Sequence, residues 1–370
     1  MAQWSEFDRL MMAHAIEIAR SGRGYTLSNP RVGAVITVNG QIVAEGYHQR
    51  YGGPHAERNA IAEANRKGID LRNATLYVTL EPCCHQGKTG PCTEAVIEAG
   101  IQRVVIGSLD PNPKVNGHGV ERLQRNGIAV EVGLLQSECQ ALNPAFITYH
   151  TLHRPYVLLK WAQSVDGFID IKRSPEPPAP WFTGNHGRML VHRWRSEHMA
   201  ILVGANTVLR DNPRLNVRAW VGPQPLRVIV DRDLSLPRSA HIFDGSQPTL
   251  LLTNSSLVDT PAWRERQAVS QLEIAPIDRS GSLPENVLAE LYSRGVNSLL
   301  VEGGAKTLDQ FIASNLWDEA RIFIAPICVG DGIKAPQLPK GVSRPSLVGA
   351  STLLQIDNPH ASALECTNHA

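Results

Sequence analysis

The runs HAERNA at residues 55–60 and TLEPCCHQGKTGPC at residues 79–92 decide how the first half of the chain is read. They place a histidine beside a glutamate, then three cysteines within ten positions, in a chain with six cysteines in all. Such clustering points to a ligand set; a disulfide framework distributes its cysteines through a small secreted chain. Zinc accepts imidazole nitrogen and thiolate sulfur, and a catalytic zinc keeps one coordination position open for water. His55, Cys83 and Cys92 supply three ligands, and Glu57, two residues past His55, reaches the water. Bound zinc brings the pKa of that water to about 7, so a neighbouring carboxylate takes its proton readily. Cys83 and Cys92 each follow a proline, which fixes the backbone presenting the thiolate, whereas Cys84 follows Cys83 and is read as a bystander.

The competing reading is a closed structural zinc site with Glu57 on a solvated helix face. Structural sites favour compact cysteine knuckles, and here eight residues separate the two proline-led cysteines. The pattern H-x-E with a later proline-led cysteine pair is the signature of zinc nucleobase deaminases, although there the cysteines are more closely spaced. The longer gap inserts CHQGKTGP (84–91) and brings His85 and Lys88 beside the metal. A lysine in a glycine-bounded loop suits a substrate phosphate.

Working outward, Phe7, Leu10, Met11, Ala15 and Ile18 recur at helical spacing and predict an opening amphipathic helix. VGAVITVNGQIVAEGYH (32–48) reads as a hairpin with Asn39-Gly40 as a type I′ turn. A helix from about His55, a strand at 74–80, a helix at 93–99, a strand at 103–107, a helix at about 117–126 and a strand at 128–133 follow. Alternating helices and short apolar strands predict an α/β sandwich whose sheet is not purely parallel. At 370 residues the chain is long for one core, so two domains are expected, 1–150 and 151–370, joined through YHTLHRP (149–155). Strands at 156–167, 199–204, 226–231, 249–254, 272–277, 297–302 and 320–326 predict a second α/β domain, with RSPEPPAP (173–180) as a surface loop.

The bulk numbers narrow the function classes. A formal net charge of +1 gives no electrostatic case for nucleic acid or anionic membrane. The N-terminal stretch carries acids and lacks an apolar signal core, and no apolar run is long enough to span a bilayer. A reducing, cytoplasmic location is the expectation.

With these motifs in view, the chain resembles the bifunctional riboflavin-biosynthesis deaminase/reductase family. HAE, TLEPCCHQGKTGPC, SNPRVGAV upstream and DPNPKVNGHG downstream carry the first half of the resemblance. LKWAQSVDG, WFTG, ILVGANTVLRDNPRLNVR and LLVEGGAKTL carry the second, in the same order. The resemblance implies a cytidine-deaminase-like α/β/α domain followed by a dihydrofolate-reductase-like α/β domain. It also implies hydrolytic deamination of 2,5-diamino-6-ribosylamino-4(3H)-pyrimidinone 5′-phosphate, then NADPH-dependent reduction of the ribosyl group to ribityl.

By position, the resemblance makes His55, Cys83 and Cys92 the zinc ligands and Glu57 the proton shuttle. It puts Asn29, His85, Lys88, Asp110 and Asn112 around the pyrimidine and ribose phosphate, although Asn29 and Asn112 each precede a proline and turn chemistry alone would also account for them. NSLLVEGGAKTL (297–308) is a strand, a glycine pair and a helix start; alone it is an ordinary tight turn. The resemblance makes Gly304, Ala305, Lys306 and Thr307 a cradle for cofactor phosphates, and Glu302 a contact to the substrate ribose. Gln163, Trp181, Thr207 and Asp211 fall at cofactor positions. Arg195, Leu215 and Arg218 fall at substrate positions, two arginines being suited to a ribose phosphate. Departures from the family pattern are Gln163 and Gly90, Cys84, and Ala179 where a serine is common. A homo-oligomer, dimeric or larger, acting on a small phosphorylated pyrimidine is implied. The alternatives are a deaminase alone with a degenerate second domain, and a non-enzymatic zinc-stabilised scaffold that senses nucleotides.

Overall fold

The computed structural model describes residues 4–87, 90–172, 182–277 and 280–361. Lys88, Ala179, Trp181 and the proline-rich run at 173–180 lie outside the described residues. The chain forms two compact units, Met1–Leu152 and His153–Ala370.

The first unit opens with α1 (Glu6–Ala19), started by a capping box between Ser5 and Asp8. Its inward face differs from the expected one. Met11, Met12, Ala15, Ile16 and Ala19 are buried, while Phe7 and Leu10 face solvent. The cause is Asp8, which turns inward to accept from the Tyr77 hydroxyl at 2.8 Å and from Arg103 at 2.7 Å. Next come β1 (Gly33–Val38) and β2 (Gln41–Tyr47). Asn39 and Gly40 between them have φ of 50° and 73°, the two positive values that a type I′ turn requires. Then follow α2 (Ala56–Arg66), β3 (Thr75–Leu80), α3 (Cys92–Glu98), β4 (Arg103–Ser108), α4 (His118–Arg125) and β5 (Ala129–Val132). Two helices that the sequence reading did not place, α5 (Gln136–Ala141) and α6 (Pro144–Leu152), close the unit, so part of the expected connection at 149–155 is helical.

Among the described residues the sheet runs β2-β1-β3-β4-β5, antiparallel through the hairpin and β3, then parallel. Strand alternation feeds two cores. Ala34, Ile36, Leu76, Val78, Val104 and Ile106 pack on one face, and Val35, Tyr77 and Val105 on the other with α1. Parallel β3 and β4 point their C-terminal ends to the same edge, the usual location of a site in an α/β sheet.

The second unit comprises β6 (Tyr156–Ser164), β7 (Phe168–Ile171), α7 (Gly184–Glu197), β8 (Ala200–Gly204), α8 (Ala205–Asp211), β9 (Leu226–Val230), β10 (Thr249–Asn254), α9 (Pro261–Gln267), β11 (Leu272–Ile277), α10 (Leu283–Ser293), β12 (Ser298–Gly303), α11 (Ala305–Ala313), β13 (Glu319–Ala325), β14 (Gly332–Lys334), β15 (Val342–Val348) and β16 (Ser351–Asp357). The main sheet has the order β11-β10-β9-β8-β12-β6-β13-β16-β15, parallel as far as β13 and antiparallel beyond. Val157, Leu159, Leu299 and Val301 face one core, and Leu158, Ile201 and Leu300 the opposite one. β15 and β16 were not anticipated. β15 is exposed along nearly its whole length and carries Pro345, so it lacks the apolar alternation that marks a strand. No helix among the described residues is long and apolar enough to cross a membrane.

Candidate functional site

In the first unit the chain leaves β3 as Glu81-Pro82-Cys83, and α2 starts immediately after His55. His55 is the N-cap of α2, but its ring makes no capping bond, which leaves Nδ1 free to face the thiols. Nδ1 lies 3.5 Å from Cys83 Sγ and 3.3 Å from Cys92 Sγ. The three ligand atoms fall within 4.8 Å of one another. With zinc–sulfur and zinc–nitrogen bonds of ordinary length, tetrahedral ligands stand about 3.6 Å apart. The arrangement therefore fits zinc. Cys84 stands outside this cluster, its Sγ 4.0 Å from the Lys114 carbonyl.

The hydrogen bond from Cys92 pulls the Cys83 thiol down to about 4, with His55 adding to the effect. The same bond pushes Cys92 up, so the two opposite shifts describe one shared proton. Cys83 also raises His55. Glu57, 3% exposed, is pushed up to about 7 by burial and by the charge of Cys83. A carboxyl titrating there is suited to both accept and return a proton at neutral pH.

His55, Glu57 and Cys83 open on a cavity of about 260 Å³. Asn29, His85, Asp110 and Asn112 line the same cavity, so the structure brings together these candidate residues from four separate stretches. Burial pushes Asp110 up to about 7. Lys88 lies outside the described residues. The sequence reading missed Glu81, His48 and Phe146, which also line the cavity. His48 donates from Nδ1 to the Pro54 carbonyl at 3.0 Å, so its bare Nε2 accepts from Asn29 Nδ2 at 3.1 Å. That orients the Asn29 carboxamide. Arg58 donates to the carbonyls of Gly90 (2.9 Å) and Pro91 (2.8 Å), and a Cβ at position 90 would meet its guanidinium at 2.8 Å.

In the second unit, β8 and β12 are adjacent and parallel; β8 ends in Gly204, the N-cap of α8, and β12 ends in Gly303, one residue before Gly304, the N-cap of α11. The Gly303–Gly304 peptide is cis. The two turns interlock. A Cβ on Gly304 would stand 3.2 Å from Thr207 Oγ1, and one on Gly204 would stand 3.0 Å from Thr307 Oγ1. Ala305 and the exposed Lys306 begin α11, and Asp211 ends α8.

Arg195 grips Glu302 with two bonds of 2.7 Å and donates to the Asn216 carbonyl at 3.1 Å. Each of its guanidinium nitrogens thus has a partner within the protein. Burial acts to raise Glu302, but the charges of Arg195 and Lys160 hold it at about 2. Lys160, lowered by burial, was missed; its signal was a lone charge in the apolar run YVLLKWA. Leu215 is 2% exposed, its side chain in the core and its φ at 54°. Arg218 is exposed, bonds Asn216 Oδ1 at 2.9 Å, and gives its N–H to His192 Nδ1 at 3.1 Å. Gln163 accepts from Trp161 Nε1 at 2.8 Å. Trp181 lies outside the described residues.

Residues 5–108 match the family model of the cytidine and deoxycytidylate deaminase zinc-binding region. Residues 155–361 match that of the RibD C-terminal domain. The riboflavin biosynthesis protein RibD of Aquifex aeolicus (strain VF5) is 40% identical over 335 residues, covering 90% of this chain and 91% of that protein. RibD of Actinobacillus pleuropneumoniae is 38% identical over 358 residues, covering 96% and 91%. Among solved structures, a diaminohydroxyphosphoribosylaminopyrimidine deaminase/5-amino-6-(5-phosphoribosylamino)uracil reductase from Thermotoga maritima has a TM-score of 0.84 at 39% identity, over 95% of this chain and 99% of that one. RibD of Acinetobacter baumannii, form 1, has a TM-score of 0.84 at 31% identity over the same 95% and 99%. The chain belongs to the RibD family of riboflavin biosynthesis, a deaminase domain followed by a reductase domain.

Proposed function

We propose that the chain deaminates 2,5-diamino-6-ribosylamino-4(3H)-pyrimidinone 5′-phosphate with zinc and then reduces the ribosyl group to ribityl with NADPH. The observation that carries this is the ligand triad of His55, Cys83 and Cys92 opening, with Glu57, on a cavity lined by amide, carboxyl and imidazole groups. Nothing in the comparisons favours a deaminase acting alone, since the reductase match spans 155–361.

Zinc held by His55, Cys83 and Cys92 would supply Lewis acidity and a water that ionises near neutral pH. Glu57 takes one proton from the attacking water and passes it to the ring nitrogen, then takes the second from the added hydroxyl and passes it to the amino group that leaves as ammonia. Asn29, Asp110 and Asn112 hold the pyrimidine, and His85 faces the ribose phosphate, for which the resemblance also assigns Lys88. In the reductase, NADPH supplies the hydride when bound. The Gly304–Thr307 turn and the start of α11 receive its pyrophosphate, with Thr207 braced against the turn; the resemblance also assigns Gln163, Trp181 and Asp211 to the cofactor. Glu302, kept ionised by Arg195 and Lys160, accepts from the ribose hydroxyls. Arg218 meets the substrate phosphate, and the main chain at Leu215 borders the substrate.

A preference for NADPH over NADH has support in Arg232. β12, β8 and β9 are consecutive in the sheet, so the end of β9 lies two strand spacings, about 10 Å, from the glycine turn. There the exposed Arg232 lines a cavity of about 420 Å³ with Asn254 and Asn286, while neighbouring Asp233 accepts from Asn254 at 3.4 Å. A guanidinium at that distance suits the ribose 2′-phosphate. The reading also takes the chain as a cytoplasmic homo-oligomer, which sedimentation would test.

A single time course tests the whole proposal: zinc-loaded chain, the diaminopyrimidinone phosphate and excess NADPH, following ammonia and NADPH absorbance together. Ammonia first and NADPH oxidation at matching yield is the expected result. Glu57→Gln keeps its zinc and reduces the deaminated compound normally, but ammonia release falls by at least about 100-fold. Undiminished release from that variant sinks the assignment of Glu57.

A further inference from the structure

Glu81 directly follows β3, one proline ahead of Cys83, and is 3% exposed. Its carboxylate accepts four main-chain N–H groups from one later segment, LDPNPKVNGHGV at 109–120. Oε2 takes those of Asp110 at 3.2 Å and Gly117 at 3.0 Å. Oε1 takes those of Gly119 at 2.9 Å and Val120 at 3.2 Å.

The first-turn N–H groups of a helix lack partners within it and are normally met by the side chain at the N-cap. The N-cap of α4 is Gly117, at φ 81°, which has no side chain to offer. Glu81 does this work from another strand, and its negative charge sits at the positive end of the helix. One carboxylate therefore pins both ends of the loop, Asp110 and Gly117. Asp110 at the first end and Asn112 just inside it line the deaminase cavity and are joined by an Asn112 N–H to Asp110 Oδ1 bond of 2.8 Å. The seat is close-fitting: a Cβ on Gly119 would lie 2.2 Å from the Pro82 carbonyl.

We infer that Glu81 is a positioning residue for deamination, holding Asp110 and Asn112 in place for the pyrimidine; the inference rests on the deaminase reading above. Glutamine at 81 keeps the shape but replaces one acceptor oxygen with an amide group that faces two N–H donors. Those donors lose their partner, and the loop is released for part of the time. Substrate binds only the fraction with the loop in place, so KM rises by the inverse of that fraction, while kcat, set in the bound state, is kept.

The test measures Glu81→Gln in the full zinc-loaded chain by ammonia release against substrate concentration, zinc content, reduction of the deaminated compound, and amide hydrogen exchange across 109–120. The expected result is a KM about 10- to 100-fold higher with kcat within about threefold, and exchange across 109–120 accelerated by a similar factor. Zinc content and reduction stay as in the parent chain, and Gly119→Ala, which disturbs the same turn from the Pro82 side, raises KM likewise. Unchanged KM with unchanged exchange overturns the inference. So does loss of zinc together with kcat, which would make Glu81 a support of the thiolate segment alone. A parent chain that releases no ammonia from this substrate counts against the deaminase reading, and the exchange rates then decide the role of Glu81 by themselves.

Discussion

His192 shows how much the second site depends on a group that performs no chemistry. Its Nδ1 accepts the Arg218 N–H, which requires a neutral ring. Burial, with Arg195 and Arg218 close by, depresses it to about 4 from an ordinary 6.5. Because the folded value is the lower one, the unfolded chain takes up a proton between pH 6.5 and 4 that the folded chain refuses. Stability conferred by neutral His192 is therefore complete well above pH 6.5 and declines as pH falls toward 4. Thermal melts of the chain should show Tm falling through that window, and His192→Gln, which keeps an acceptor for Arg218, should fall less steeply. A variant with an unaltered slope would remove His192 from the account. The buried pair Arg195 and Glu302 behaves differently over this range, since Glu302 stays ionised down to about 2.

At the scale of elements, the hairpin and α2 were legible because their signals are local: Asn39-Gly40 dictates one turn, and His55 sits where a helix must begin. The inward face of α1 was not, because Asp8 is buried by Tyr77 and Arg103, residues 69 and 95 positions away. α6, PAFITYHTL, has apolar residues on several sides and offers no stripe to read. The candidate zinc ligands were legible as a motif, and their convergence follows from the adjacent starts of α2 and α3. The Arg195–Glu302 pair spans 107 positions and leaves no local trace. Glu81 could have been suspected only by asking what caps a helix whose N-cap is glycine. The order of strands, unreadable from periodicity, is what places Arg232 two strands from Gly304. Arg232→Ala should raise KM for NADPH about tenfold or more and leave KM for NADH nearly unchanged, as read in initial-rate assays of the reductase step. Equal losses with both cofactors would move the 2′-phosphate elsewhere.

For the molecule as a whole, each unit has its own sheet, its own pair of cores and its own candidate site. Among the described residues, the group that could hold a metal ion, His55, Cys83 and Cys92, belongs to the first unit. A strong zinc chelator should therefore abolish ammonia release and leave NADPH-dependent reduction of the deaminated compound intact. Restored zinc should return the first activity, and loss of both activities on chelation would mean that the reductase also requires metal. The division after Leu152 has a further consequence. Two units on one chain are always made in equal number, so their relative throughput cannot be adjusted by making more of one. At steady state the flux through the first step equals the flux through the second, and the standing level of the deaminated intermediate is set by the ratio of the two units' kinetic constants. Any substitution that slows only the reductase will raise that level, and one that slows only the deaminase will drain it.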